Sequence, residues 1–116
     1  MKNSIQDILL QFERYSVLWN EANEKVEYKK GNRYFSQAMT CAKKLYEKKS
    51  LDNLLPFVTN DNVGVRFLAA FVLLPFHKDL CEMTLQEIAE GNNGIGSFDA
   101  KMTLQEWKKG NLVFPY

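Results

Sequence analysis

Residues 50–76, SLDNLLPFVTNDNVGVRFLAAFVLLPF, constrain the fold more than any other stretch, because no other segment is apolar enough to be buried on most of its surface. Leu51, Leu54, Leu55 and Val58 recur at helical spacing, with Ser50 in position to accept a backbone N–H as N-cap. Pro56 lies within about two turns of that start, where a proline bends or tightens a helix without abolishing it. Thr59, Asn60, Asp61 and Asn62 follow, and side chains of this kind bond their own backbone, which predicts a hairpin corner. From Val63 to Leu74 the only charge is Arg66. A helix apolar on nearly every side is a central one, with neighbours on most faces. Arg66 is expected to tie down the carbonyls or carboxylates of the corner, Asp61 among them, since buried charges are normally paired.

The flanks read as amphipathic helices. Ile5, Ile8, Leu9, Phe12, Tyr15, Leu18, Trp19 and Ala22 recur at three- and four-residue steps, and Gly31-Asn32 marks the expected break after them. Tyr34, Phe35, Ala38, Met39, Ala42, Leu45 and Tyr46 define a second helix, whose last turns carry Lys43, Lys44, Lys48 and Lys49, cations that a helix C-terminus favours. His77-Lys78-Asp79 opens a further helix through Leu80, Cys81, Leu85, Ile88 and Ala89, with Gly91 as its C′ residue. Thr103 with Glu106 three positions on is a capping box, which predicts a helix of about two turns ending at Gly110. Residues 111–116 run out extended, with Leu112 and Phe114 able to tuck against the core. The expected architecture is all-α: one domain over 1–116, a compact stack of about five to six helices in α-α hairpins, closed by a short extended tail.

Composition excludes several functional classes. With 46% hydrophobic and 25% charged residues and a net charge of +1, the chain is an ordinary globular one. No apolar run reaches the roughly 18 residues needed to span a bilayer. The N-terminal helix carries Asp7, Glu13 and Arg14 in place of a secretory apolar core, so the expected location is cytoplasmic. Cys41 and Cys81 stand apart from any metal-ligand spacing and read as buried small residues, a disulfide between them being the alternative. His77 is the single histidine. Ser4, Ser16, Ser36, Ser50 and Ser97 lie in no nucleophile-elbow context. The glycines of 91–97 lack the preceding strand and the Gly-Lys-Ser/Thr of a phosphate loop. The expectation is therefore no catalytic residue, no metal ligand, no cofactor and no enzymatic activity. Nucleic acid is disfavoured too. Residues 1–50 hold ten Lys/Arg against six Asp/Glu, whereas 51–116 hold five against eight, a smaller basic excess than phosphate-binding domains show.

Two resemblances follow from these residues. The order apolar helix, Asn60-x-Asn62, Val65-Arg66, Ala69-Ala70, Leu73-Leu74 resembles a HEAT-like repeat, with Val63 where such repeats often carry a proline. The closing string Phe98-x-Ala100-x-Met102-Thr103-Leu104-x-Glu106-Trp107-x-x-Gly110-x-Leu112-x-Phe114-Pro115 resembles a family of small bacterial all-helical proteins known as a domain of unknown function. Its members are similar to the immunity proteins of interbacterial toxin systems, including those of contact-dependent growth inhibition. What this resemblance implies is a non-enzymatic protein that binds and neutralises a cognate toxin with a basic catalytic domain, a nuclease for instance, by covering its active site. The acidic positions that can meet such a partner are Glu21, Glu24, Glu27, Asp61, Asp99 and Glu106, each with an ordinary solvated carboxylate as the competing reading. Tyr28, Tyr34 and Tyr116 are aromatic anchors on the same reading, or simply core. The alternative is a nucleic-acid-binding or scaffold HEAT-like protein, for which Lys43, Lys44, Lys48 and Lys49 would form the contact patch.

Overall fold

The computed structural model describes residues 4–116. The chain is all-helical there, with no strand among the described residues: α1 (Ile5–Glu24), α2 (Tyr28–Glu47), a 3-10 helix (Leu51–Thr59), α3 (Val63–Leu73), α4 (Lys78–Glu90), α5 (Ile95–Lys108) and an extended tail. The expected stack of five to six helices is what forms. α3 occupies the centre, touching α1, the 3-10 helix, α4 and α5. Val65, Leu68, Ala69, Ala70, Val72 and Leu73 of α3 are fully buried, and the surrounding elements bring Phe12, Leu45, Leu54 and Leu85 against them.

The α1–α2 connection falls earlier than Gly31. α1 ends in a Schellman turn at Lys25, Val26 and Glu27: the Val26 N–H donates to the Asn23 carbonyl at 3.1 Å and the Glu27 N–H to the Ala22 carbonyl at 2.8 Å. That turn needs a left-handed residue, and Val26 supplies it at φ 58°. Gly31 lies inside α2, where a Cβ would stand 3.0 Å from Asn23 Oδ1 and 3.8 Å from Ala22 Cβ. The glycine therefore permits close approach of the two helices instead of breaking one. α2 ends in the same way, with Lys49 at φ 57° and the Ser50 N–H donating to the Leu45 carbonyl at 2.8 Å.

The segment after Ser50 is a 3-10 helix, and Ser50 does not cap it; its hydroxyl donates to the Lys48 carbonyl at 3.1 Å. Pro56 inside it has no N–H to give to a longer α-helical ladder. The corner that follows is built as expected. Asn62 Oδ1 caps α3 by accepting from the N–H groups of Gly64 (2.9 Å) and Val65 (3.2 Å). Arg66 Nη1 donates to the carbonyls of Asn60 (2.9 Å) and Asp61 (3.2 Å), so it holds backbone oxygens and leaves the Asp61 carboxylate to solvent. A Cβ on Gly64 would lie 2.4 Å from Asn20 Cβ and 2.8 Å from the Ser16 carbonyl, which fixes how closely α3 starts against α1.

The largest departure concerns α5. It begins at Ile95, directly after Gly94 at φ 56°, so Thr103 is an interior residue and no capping box forms. The turn before it is held by Ser97, whose Oγ meets the Ile88 carbonyl at 2.9 Å, the Gly91 carbonyl at 2.8 Å and the Asn93 N–H at 3.0 Å. Gly91 is extended (φ −77°, ψ 175°), not a left-handed cap. Left-handed closure comes instead at Gly110 (φ 74°), after α5. Beyond it the tail folds back. Phe114 stacks 5.2 Å from Phe71 and meets Trp107 edge-on at 6.1 Å, and the Tyr116 hydroxyl donates to the Val72 carbonyl. Cys41 and Cys81 are buried free thiols. No helix is long and apolar enough to cross a membrane among the described residues.

Candidate partner-binding face

Starting α5 at Ile95 gives that helix two faces. Ala100 and Leu104 point into the core, while Ile95, Phe98 and Met102, at i, i+3 and i+7, are 38%, 62% and 41% exposed. Three large apolar side chains thus share one outward stripe of the helix, which makes it a candidate contact surface. Beside the stripe lies a groove of about 350 Å³, floored by Trp19, Phe35, Phe67 and Phe71 and rimmed by Met102 and Asp99. The rings are tilted against one another at centroid distances of 5.3 Å (Trp19–Phe67), 6.3 Å (Trp19–Phe35) and 6.2 Å (Phe35–Phe71). Burial in this apolar setting pushes the Asp99 carboxyl above its usual range.

On the other side of Trp19 a second cleft of about 410 Å³ is lined by side-chain amides, Asn20, Asn23, Asn92 and Asn93, together with Glu24 and Ile95. Glu24 accepts a hydrogen bond from Asn20 Nδ2 at 3.1 Å. Trp19 is thus the septum between a polar cleft and an aromatic groove, with one carboxylate on each side. Of the six acidic positions singled out by sequence, Glu24 and Asp99 are the two brought together in this way. Glu21, Glu27 and Glu106 are engaged locally, with Lys25 (3.1 Å), Lys30 (3.3 Å) and Lys109 (3.5 Å), and Asp61 sits at the exposed hairpin corner. Among the aromatic positions, Tyr28 is exposed, Tyr34 stacks 6.5 Å from Tyr15, and Tyr116 is half-buried in the tail cluster.

No family model matches the chain, and neither a curated protein nor a solved structure does.

A larger cavity, about 640 Å³, lies elsewhere, where the end of α2 meets the 3-10 helix and the α3–α4 connection. His77 Nε2 is 2.8 Å from Asp52 Oδ1 there, among Tyr46, Glu47, Lys49 and Phe76. A histidine oriented by a carboxylate is two-thirds of a hydrolytic triad, but no serine or cysteine lines the cleft to be its nucleophile. Asp52 is also 69% exposed, where a bond to imidazole is screened by water. No group of three or more His, Cys, Asp or Glu positioned to hold a metal ion occurs among the described residues. The α5 stripe escaped the sequence reading because residues 91–97 look like a loop. Its signal, the spacing of Ile95, Phe98 and Met102, is visible only once the helix is extended back to Gly94.

Proposed function

We propose that this protein is a non-enzymatic binding module of the immunity type, which docks a cognate bacterial toxin and covers its active site. The observation that carries the reading is the outward stripe Ile95, Phe98, Met102 set beside Glu24 and Asp99. Apolar anchors ringed by carboxylates and amides match a partner whose own cleft is basic, as a nuclease's is. The charges suit such a partner kinetically as well, because acidic groups at the rim steer a basic domain into contact.

The test is reconstitution. The protein is tagged, retrieved from its own host together with the product encoded next to it, and the retained partner is assayed alone and with one equivalent of this protein. A stoichiometric complex in which the partner's catalytic activity is lost is the expected result. Retention of nucleic acid alone, or a partner that stays active in the complex, overturns the reading. A second reading is favoured by one specific feature: Lys43, Lys44, Lys48 and Lys49 close α2 next to the exposed rings of Tyr46 and Phe76, a combination that suits stacked bases of single-stranded nucleic acid. Glu47 and Asp52 in the same cleft oppose it.

A further inference from the structure

We infer that the groove beside α5 is a seat for a guanidinium group, an arginine side chain of the docked partner, with Asp99 as its counter-ion. The identity of the occupant as a partner's side chain rests on the binding reading above; the chemistry of the seat does not. Its floor is aromatic: Trp19, Phe35, Phe67 and Phe71 meet at tilted angles near 48–49°, with Phe35 the least buried of the four. Its rim carries one charge, Asp99. Ion pairs among the described residues join Lys25 to Glu21, Lys30 to Glu27, His77 to Asp52 and Lys109 to Glu106, and none reaches Asp99.

A carboxylate half-withdrawn from water beside aromatic rings, with no cation in ion-pair reach among the described residues, is poorly solvated. An apolar side chain entering the groove would strand it further. A cation entering would pair with it and gain the ring quadrupoles at the same time. Arginine fits this better than lysine: its guanidinium is planar, weakly hydrated, stacks on rings and offers two parallel N–H groups to one carboxylate. Met102, 41% exposed at the rim, supplies a flexible apolar wall for the methylene stem.

Ethylguanidinium and butylammonium serve as probes, titrated into isotope-labelled protein while the two tryptophan indole N–H resonances are followed. Ethylguanidinium is expected to shift the Trp19 signal saturably, at a dissociation constant on the order of millimolar, and to leave Trp107, which lies outside the groove, unmoved. Asp99→Asn is expected to weaken that binding at least about tenfold, the size of one charge-assisted contact. The same variant should melt at a higher temperature, since removing a desolvated charge relieves its cost, and this shows that it is folded. Absence of a saturable shift at Trp19, or binding indifferent to Asp99→Asn, overturns the site. Equal affinity for butylammonium overturns the choice of arginine. If ethylguanidinium binds but Asp99→Asn captures the partner undiminished, the proposed use of the seat in docking falls. If ethylguanidinium binds and no partner is ever captured, the seat stands and the immunity reading is lost.

Discussion

At the scale of single residues, the strained positions and the buried titratable groups carry the clearest consequences. Val26 holds a left-handed conformation at φ 58° to close α1, and a β-branched side chain there costs roughly 1–2 kcal/mol that glycine avoids. Val26 is also 55% exposed, so little packing is lost with it. Val26→Gly is expected to raise the unfolding free energy by about 1 kcal/mol, seen as a higher urea midpoint at unchanged slope. Cys81 makes the second case. Burial pushes its thiol up to about 12, and burial, followed by the nearby Tyr46 and Cys81, pushes the Tyr116 phenol up as well. Both acids are raised in the folded state, so their contribution is complete below the unfolded pKa and is lost as pH climbs toward the folded one. Between about pH 9 and 12 the unfolded chain releases protons that the folded chain keeps. Stability should therefore be flat near neutrality and fall by a few kcal/mol toward about pH 11. Cys81→Ala, though less stable at neutral pH, should lose less on the same climb; an unchanged alkaline slope in urea titrations would count against the assignment.

At the scale of elements, the tail shows how a segment with no regular structure contributes. Leu112, Phe114 and Tyr116 alternate inward while Val113 is 84% exposed, so one side of the extended chain lies on the core. Phe114 links Phe71 of α3 to Trp107 of α5, and Trp107 Nε1 in turn donates to Glu82 Oε2 of α4 at 2.6 Å. Ending the chain after Asn111 removes four half-buried side chains, Leu112, Phe114, Pro115 and Tyr116, for an expected loss of roughly 2–4 kcal/mol by chemical denaturation. The tail's tuck was legible because Leu112 and Phe114 stand two apart after the Gly110-Asn111 break, so an extended chain turns both to one side. The central helix was legible because eleven residues with one charge admit little else. Boundaries were harder. Gly31 looked like a break because glycine is a poor helix residue in isolation, yet it sits within α2 where a Cβ would press on the Asn23 side chain of α1 at 3.0 Å. The start of α5 was hidden for the opposite reason. Asn92, Asn93, Gly94 and Gly96 spell a loop locally, and helix entry there depends on Ser97 binding carbonyls of the preceding helix and turn, a tertiary contact with no periodic signature.

At the scale of the whole molecule, the charge asymmetry noted in the sequence resolves into separate surfaces. Lys49, which follows α2, lines the His77 cleft, whereas Glu24 and Asp99 flank Trp19 at the face formed by α1 and α5. The lysine partners of Glu21, Glu27 and Glu106 lie three or four positions on in the sequence, whereas the placing of Glu24 and Asp99 on either side of Trp19 required the fold. The separation of the two surfaces makes the competing functions independently addressable. Phe98 is 62% exposed, so Phe98→Asp leaves the core intact and places a charge in the middle of the apolar stripe. If the α5 face binds the partner, that one change should weaken the complex by about 2 kcal/mol or more, roughly thirtyfold, mainly through faster dissociation. Replacing Lys43, Lys44, Lys48 and Lys49 together by Gln should then leave partner affinity nearly unchanged. The reverse pattern, with the lysine variant losing a strongly salt-dependent affinity for single-stranded nucleic acid and Phe98→Asp without effect, would move the function to the α2 end. Measuring both variants by calorimetry against both ligands decides between them, because neither substitution touches the other's surface.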